Sequence, residues 1–247
     1  MQQDASGAPP SASASMPGRQ MRTARKLHSY FVVFTLLFTA IVLLGFLRTF
    51  FIPVALGTFA KPPVVHIHGF LFFAWTALLV SQSVLAATKR LKAHRKIGSI
   101  AAWMILPMLA LGTVVAARDT VNDYIADGDA ALSFFYGELA DLAMFGVLAG
   151  AAMVLRSRPD FHKRWVLLGS LGLIGAAIGR IPELGGLFLY IFLGFIGSMA
   201  IHDIVSQRSI HPATAIGAAV LLTLGLSEEA IGNSKAWLQI AHYLLPV

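Results

Sequence analysis

Cysteine is absent from the 247-residue sequence, and charged residues are scarce, at 13%. The lack of cysteine excludes disulfides, thiolate metal sites, iron–sulfur clusters and covalently attached c-type haem, so any metal would rest on His, Asp or Glu. A soluble domain carries about 25% charged residues, roughly twice the share found here. Phosphate-binding loops, dinucleotide fingerprints and the G-x-S-x-G motif of serine hydrolases are also missing. These absences disfavour a soluble nucleotide-dependent enzyme and a covalent hydrolase.

Long apolar runs dominate the sequence, in which 57% of the residues are hydrophobic. A bilayer core about 30 Å thick needs roughly 20 apolar residues per helix, and only helices or closed barrels can span it. The runs are too continuous for barrel strands. The sequence therefore predicts an all-α fold, a polytopic membrane bundle of about seven transmembrane helices that forms one domain over residues 27–247. The predicted spans are 27–51, 63–87, 97–117, 132–155, 165–181, 186–205 and 212–230.

The two ends of the chain differ from the apolar runs. Residues 1–26 are rich in Ala, Ser, Gly and Pro and have no periodicity, which is typical of a disordered tail. The last segment, near 234–245, combines Trp, His and Tyr and indicates a helix lying at the membrane surface rather than spanning it.

Lysine and arginine concentrate in alternate connections. Fourteen of them lie in the tail and in the loops 88–96, 156–164 and 206–211, and five lie on the other side. By the positive-inside rule, the N-terminus and its tail are cytoplasmic and the C-terminus is outside. The loop RDTVNDYIADGD, with four aspartates, then lies on the outer face. Topology explains the net charge of +7, so no nucleic-acid partner is expected.

Histidines gather at the predicted cytoplasmic face, where His28 opens the first span. Imidazoles that converge there could ligate haem iron or another metal, while neighbouring Arg and Lys pair with haem propionates. The alternative is that each histidine is an interfacial anchor at a helix end. The candidate cofactor ligands are His94, His162, His202 and His211.

Ionisable residues inside predicted spans form a second candidate site, near the outer face. Glu138 and Asp141 are three residues apart and share one face of the fourth span. The helical rise places Arg180 of the fifth span at a depth similar to that of Asp141. One interpretation is a structural ion pair between Asp141 and Arg180, and the other is a metal site or proton-accepting pocket. The candidate metal ligands are His66, His68, Glu138 and Asp141.

The second span carries a polar and aromatic stripe. His68, Trp75 and Gln82 recur at seven-residue spacing, which places them on one face of a helix. Because the estimated depths match, these groups are expected to meet Glu138, Asp141 and Arg180 in one outward-facing cavity.

Four segments in this order resemble a family of uncharacterised bacterial integral membrane proteins: HIHGFLFFAWTALLVSQSVL followed by AHRKIG, then DFHKRWVLLG, then IHPATAIG. The resemblance covers nearly all of the chain after the tail, and it implies an architecture rather than a reaction. A looser similarity to b-type cytochromes and ferric reductases rests on the His-rich helices and implies haem b.

The leading functional hypothesis is a haem- or metal-binding redox protein of the bacterial inner membrane, with the lipid bilayer as its partner. The alternative is a small-solute transporter or ligand-sensing protein with an outward-facing polar cavity. A third hypothesis is a metal-dependent intramembrane hydrolase, in which a carboxylate activates a metal-bound water. The sequence leaves the oligomeric state open, and it does not decide whether the protein is an enzyme.

Overall fold

The computed structural model describes residues 17–247, with side chains from Ser29 onward. The described residues are helical and contain no strand, which confirms the all-α prediction. A π-helical turn, Leu47–Phe51, follows the first helix. The helices are α1 (Pro17–Phe46), α2 (Ile52–Ala55), α3 (Pro63–Ala87), α4 (Leu91–Asp127), α5 (Asp129–Val154), α6 (Pro159–Leu171), α7 (Gly175–Ile178), α8 (Pro182–Gly185), α9 (Phe188–Gln207), α10 (Pro212–Gly232) and α11 (Lys235–Leu244).

Six helical stretches among the described residues are long and apolar enough to cross a membrane, as a multi-pass membrane protein requires. Each corresponds to one of the predicted spans. Large apolar side chains on these helices face outward, including Phe70, Trp103 and Val154, and a bilayer would cover them. The six stretches are Ser29–Ala55, Pro63–Ala87, Leu91–Asp127, Asp129–Val154, Phe188–Gln207 and Pro212–Gly232.

The predicted fifth span is not one continuous helix. A three-residue interruption separates α6 from α7, and α7 is a single turn of four residues. A Cβ at Gly169 would lie 2.8 Å from the backbone nitrogen of Ala149, and one at Gly172 would lie 2.7 Å from Cβ of Met144. The close packing of α6 on α5 therefore requires glycine. Gly169, Gly172, Gly175 and Gly179 follow one another at intervals of three or four residues in this segment, and glycine weakens helix propagation.

The connections fall alternately at two ends of the bundle. The starts of α4, α6 and α10 and the end of α9 form one end, which we call the histidine end and where His94 lies beside His162. The end of α4, the start of α5 and α11 form the other, which we call the acidic end and where His242 bonds Asp129 at 3.1 Å. Assignment of the histidine end to the cytoplasm, with the N-terminus inside, remains a prediction from the basic residues.

Two predicted boundaries shift. The helix α4 continues to Asp127, so the aspartate-rich segment predicted as an outer loop is helical over most of its length. The helix α11 has ten residues, about 15 Å, which is too short to span a membrane. The indole Nε1 of Trp237 on α11 donates to the carbonyl of Leu132 at 2.8 Å and attaches α11 to α5. The helix α1 begins at Pro17, so residues 17–26 of the predicted tail are helical. Residues 1–16 lie outside the described part of the chain, and for them the disordered tail stays a prediction.

The main apolar core joins α1, α3, α5, α6, α9 and α10. Leu168, Ile174 and Met199 lie at its centre, fully buried. A Cβ at Gly45 of α1 would overlap the carbonyl of Ala177, so α1 contacts the α7 turn at backbone distance. The broken segment is thereby packed against helices on several sides, which meets the condition for irregular backbone at membrane depth.

Candidate functional site

The four histidines predicted as cofactor ligands do not converge on one point. His94 and His162 are neighbours, with ring centroids 6.3 Å apart and ring planes at 88°. His202 instead stacks on Tyr30, with centroids 4.2 Å apart. His211 begins α10 and caps that helix. Of the four, one pair therefore shares a site.

Gln82 of α3 fixes the ring of His94. The amide Nε2 of Gln82 donates to the carbonyl of His94 at 2.9 Å, and its Oε1 accepts from the N–H of Gly98 at 3.2 Å. Since a carbonyl only accepts and an N–H only donates, these two backbone groups determine which way the amide points. The same Nε2 lies 2.7 Å from Nδ1 of His94 and donates to it.

His162 makes the opposite hydrogen bond, because its Nδ1 donates whereas that of His94 accepts. Its Nδ1 lies 2.9 Å from the carbonyl oxygen of Ala152, which can only accept, so Nδ1 carries the ring proton. His94 and His162 both line a cavity of about 50 Å³, which Trp75 and Met153 line as well. We call this cavity, between α3, α4, α5 and α6, the histidine cavity.

The residues of the stripe on the second span do not share one cavity with Glu138. Trp75 and Gln82 line the histidine cavity, whereas Glu138 lines a separate one, and His68 lines neither. Trp75 is buried, and its indole Nε1 donates to Oγ of Ser170 at 3.0 Å, linking α3 to α6. Gln82 bonds α4 as described. His68 is half-buried with no hydrogen-bond partner for its Nδ1, and its ring packs on Phe72 with centroids 4.2 Å apart.

His202 does not face another histidine. Its side chain is 10% exposed, and neither ring nitrogen has a hydrogen-bond partner. Its nearest charged group is the carboxylate of Asp203, 3.6 Å from Nδ1. The side chain of His28 lies outside the described residues.

Asp203 of α9 is the centre of a buried polar network that the sequence reasoning missed. Its side chain has no exposed surface, and that of Arg164 on α6 is 3% exposed. The guanidinium of Arg164 donates to Oδ1 through Nη2 and, at 3.2 Å, through Nε. The hydroxyl of Thr214 and the N–H of His211, the latter at 3.1 Å, donate to Oδ2. The network ties α6, α9 and α10 together, although Arg164 reads in the sequence as one more basic loop residue.

His211 has a structural role at the start of α10. Its Nδ1 accepts from the N–H of Ala213 at 3.0 Å, which satisfies one of the free donors of the first turn. Burial, and then the charge of Arg164, lowers the pKa of His211 below its usual value. The neutral ring that this favours is the form that can accept the hydrogen bond.

The residues predicted as metal ligands do not assemble. Within residues 29–247, no group of three or more His, Asp or Glu side chains is arranged to hold a metal ion. His66 is exposed and His68 half-buried on α3, whereas Glu138 and Asp141 belong to α5.

The predicted ion pair between Asp141 and Arg180 is not formed. Both side chains are described, and their charged groups do not lie within 4.0 Å of each other. Arg180 donates to the carbonyl of Ala176 instead, and its guanidinium lies 4.5 Å from the ring centroid of Phe46. Asp141 faces the break after α6, where its Oδ2 would lie 3.3 Å from a Cβ at Gly175. The helical rise gives the height of a residue but not the direction it faces, so agreement in depth did not produce a contact.

An acidic cavity of about 260 Å³ lies between α4 and α5. Asp119 in its wall pairs with Arg118 at 3.0 Å. The other three carboxylates in the wall have no basic partner within 4.0 Å among the described residues. The lining residues are Asp119, Thr120, Asp123, Asp127, Ala130, Ala131, Phe134 and Glu138.

Glu228 of α10 is another acid that lies close to α5. The carboxylate of Glu228 would lie 3.4 Å from a Cβ at Gly137, next to Glu138 in the chain. The hydroxyls of Tyr136 and Ser227 are 3.0 Å apart and hold α5 and α10 together at this level. Glu228 was not singled out from the sequence, although a glutamate at the end of an apolar run is the signal that could have identified it.

No protein-family model matches the chain, and comparisons with curated proteins and with solved structures find no match. The functional argument therefore rests on the two sites themselves.

Proposed function

We propose that this protein is a carrier of the bacterial inner membrane that binds a small organic cation, an alkylammonium compound, in its acidic cavity. One observation carries the proposal. Four carboxylates line a single cavity of about 260 Å³, and no Lys or Arg does. That volume is slightly below the usual range for drug-sized ligands, about 300–1,000 Å³, and suits a small solute.

The balance of charge in the cavity supports a cation. Arg118 neutralises Asp119, while Asp123, Asp127 and Glu138 have no ion-pair partner among the described residues. Phe134 offers an aromatic ring in the same wall, and alkylammonium groups bind favourably over such rings.

Two further features, an interior carboxylate next to the cavity and an interrupted helix beside it, support transport rather than surface binding. Glu138 lines the cavity, and Asp141 lies one turn further along α5, near Gly175, the first residue after the break. Transporters characteristically place discontinuous helices beside their binding sites, because an interrupted helix frees backbone groups and can rearrange. The basic residues predict that the acidic end faces outward, so the solute would enter from outside.

The redox and hydrolase hypotheses receive less support. His202 and His211 are engaged away from the His94–His162 pair. The cavity beside that pair has about 50 Å³, far less than the space a drug-sized ligand needs, and haem is larger still. A hydrolase needs a metal-bound water, and the candidate ligands do not group.

Binding to the intact protein in lipid nanodiscs tests the proposal. Calorimetric titration with tetramethylammonium and with choline should give saturable binding, while a neutral alcohol of similar size should not bind. The variants Asp123→Asn and Glu138→Gln should each weaken binding at least tenfold, about 1.4 kcal/mol. Asp160→Asn, which removes a carboxylate at the histidine end, is the matched control and should bind like the wild type.

Transport is tested by measuring the uptake of radiolabelled choline into proteoliposomes that contain the protein. Equal binding of the cation and the neutral alcohol, or unchanged binding in the Asp123 and Glu138 variants, would overturn the proposal. An absorption spectrum of the same preparation tests the redox hypothesis, since a Soret band would select haem.

A further inference from the structure

The two histidines of the histidine cavity present complementary hydrogen-bonding atoms. The amide of Gln82 donates to Nδ1 of His94 at 2.7 Å, so a neutral His94 ring carries its proton on Nε2. The backbone carbonyl of Gln82 also lies near this Nδ1, but farther away, at 3.2 Å. With the amide nitrogen of Gln82 at 2.7 Å, a proton on Nδ1 would meet an amide hydrogen, so Nδ1 accepts from the amide and does not donate to this carbonyl.

The opposite tautomer follows for His162. Its Nδ1–H donates to the carbonyl of Ala152, so Nε2 of the neutral ring has a free lone pair. Neither Nε2 atom has a hydrogen-bond partner among the described side chains and backbone, and the rings are too far apart and too steeply inclined to stack. A donor on His94 and an acceptor on His162 therefore line one cavity.

The cavity is sized for a water-sized ligand. A water molecule needs at least about 10–15 Å³ and two to four polar partners, and this cavity has about 50 Å³. Its other walls are largely apolar and include Trp75, Leu79 and Val166. The tautomer of His94 disfavours a metal between the rings, because its Nε2 already carries a proton.

We propose that His94 and His162 bind a water molecule between them and that His162 is a proton-uptake site at this end of the bundle. The Nε2–H of His94 donates to the water oxygen and orients a water hydrogen toward Nε2 of His162. When a hydronium ion forms at the site, one O–H bond breaks and the proton moves to Nε2 of His162, which leaves water and an imidazolium. The Nδ1–H of that imidazolium keeps its bond to Ala152.

His94 is the one other titratable side chain among the lining residues, and it faces His162 from α4. The α3 and α5 residues in the lining carry no ionisable group. The site is separate from the acidic cavity and does not depend on the proposed carrier activity. If both proposals hold, the protein can exchange a proton at one end and a cation at the other.

Solid-state ¹⁵N NMR of the full chain in lipid, with labelled histidine, tests the assignment. The spectrum should show His94 protonated at Nε2 and His162 at Nδ1, with an exchange signal between water and the Nε2–H of His94. His94→Gln and His162→Gln assign the signals, and His242→Gln at the acidic end is the control. Lowering the pH below the ordinary histidine range should protonate Nε2 of His162, because burial lowers the pKa of that ring.

A Gln82→Leu variant sharpens the test, because it removes the amide donor. Its His94 proton should move to Nδ1, which then donates to the backbone carbonyl of residue 82. A second measurement needs no variant: recoupling between labelled glutamine amides and histidine rings in the wild type should detect the 2.7 Å contact. An Nε2-protonated neutral His162, an Nδ1-protonated His94 in the wild type or a missing water exchange signal would each overturn the proposal. Loss of choline binding with these results intact would instead contradict the carrier function alone.

Discussion

Arg164 and Asp203 form an ion pair in which both side chains are almost completely buried, with 3% and 0% of their surfaces exposed. The pair joins α6 to α9, and Thr214 and His211 fill the remaining acceptor positions of the carboxylate. It therefore supplies the ionic link within the bundle that the sequence suggested for Asp141 and Arg180.

Breaking this pair should be strongly destabilising. Arg164→Met leaves the carboxylate of Asp203 buried without its cation, which costs about 3–5 kcal/mol in comparable cases. Adding Asp203→Asn removes that charge while keeping an oxygen for Thr214 and for the N–H of His211, so the double variant should recover most of the loss. Denaturant unfolding in mild detergent measures both changes. An Arg164→Met protein as stable as the wild type would contradict the structure of this network.

Replacing Asp141, in contrast, should change the stability little and affect transport instead. Asp141 has no ion-pair partner among the described residues, so Asp141→Asn leaves no charge stranded and should change the free energy of unfolding by less than about 1 kcal/mol. If Asp141 belongs to the cation route, the same variant should lose choline uptake. A large loss of stability on Asp141→Asn, repaired by Arg180→Leu, would show that the two residues pair after all.

Packing at Gly169 should tolerate no side chain. A Cβ there meets the backbone of Ala149 at 2.8 Å, and since backbone cannot yield as a side chain does, Gly169→Ala should cost about 1–3 kcal/mol. The control is Gly197→Ala in α9, where no atom lies within 4 Å of the new methyl group. That variant should be neutral or slightly stabilising, because alanine favours the helix. Thermal unfolding compares the two, and equal midpoints would contradict the close approach of α5 and α6.

The cap at His211 should make stability depend on pH. Burial is the main cause that lowers the folded-state pKa of His211. The neutral ring therefore contributes fully to the free energy of unfolding above the unfolded pKa of about 6.5, and this contribution is lost as the pH falls through the folded-state pKa. Arg164 opposes protonation of the ring, and Asp160 and Asp203 favour it. His211→Ser keeps a cap that does not titrate.

The free energy of unfolding should therefore fall more steeply between pH 7 and pH 5 in the wild type than in His211→Ser. His211→Ala, which has no cap, should lose about 1 kcal/mol at pH 7. Parallel curves for the wild type and the serine variant would show that the ring does not titrate in this range.

Reporter fusions test the orientation. The connection after Arg90 lies at the histidine end and Asp127 at the acidic end, so fusions after these two residues should report opposite compartments. The basic residues predict that the first is cytoplasmic. Activity of both reporters in the same compartment would contradict the alternation of the helices across the membrane.

The sequence by itself determined the position of six of the seven predicted spans. Twenty or more apolar residues in a row leave a membrane helix as the main way to satisfy the backbone, so pattern and structure agree for six spans. The same holds for the inward face of α3, where seven-residue spacing keeps Trp75 and Gln82 on one side of a regular helix. These features depend on the local spacing of apolar and polar residues, which can be read directly from the sequence.

The tertiary structure decided which polar groups meet. The helical rise predicts similar depths for Asp141 and Arg180, yet Arg180 lies over the ring of Phe46. His94 meets His162 while His202 and His211 do not, because contact between helices depends on their rotation and on glycines that permit close approach. Arg164 became central through the same packing. The positions of these groups are set by neighbours far apart in the chain, and the periodicity of any one helix carries no information about them.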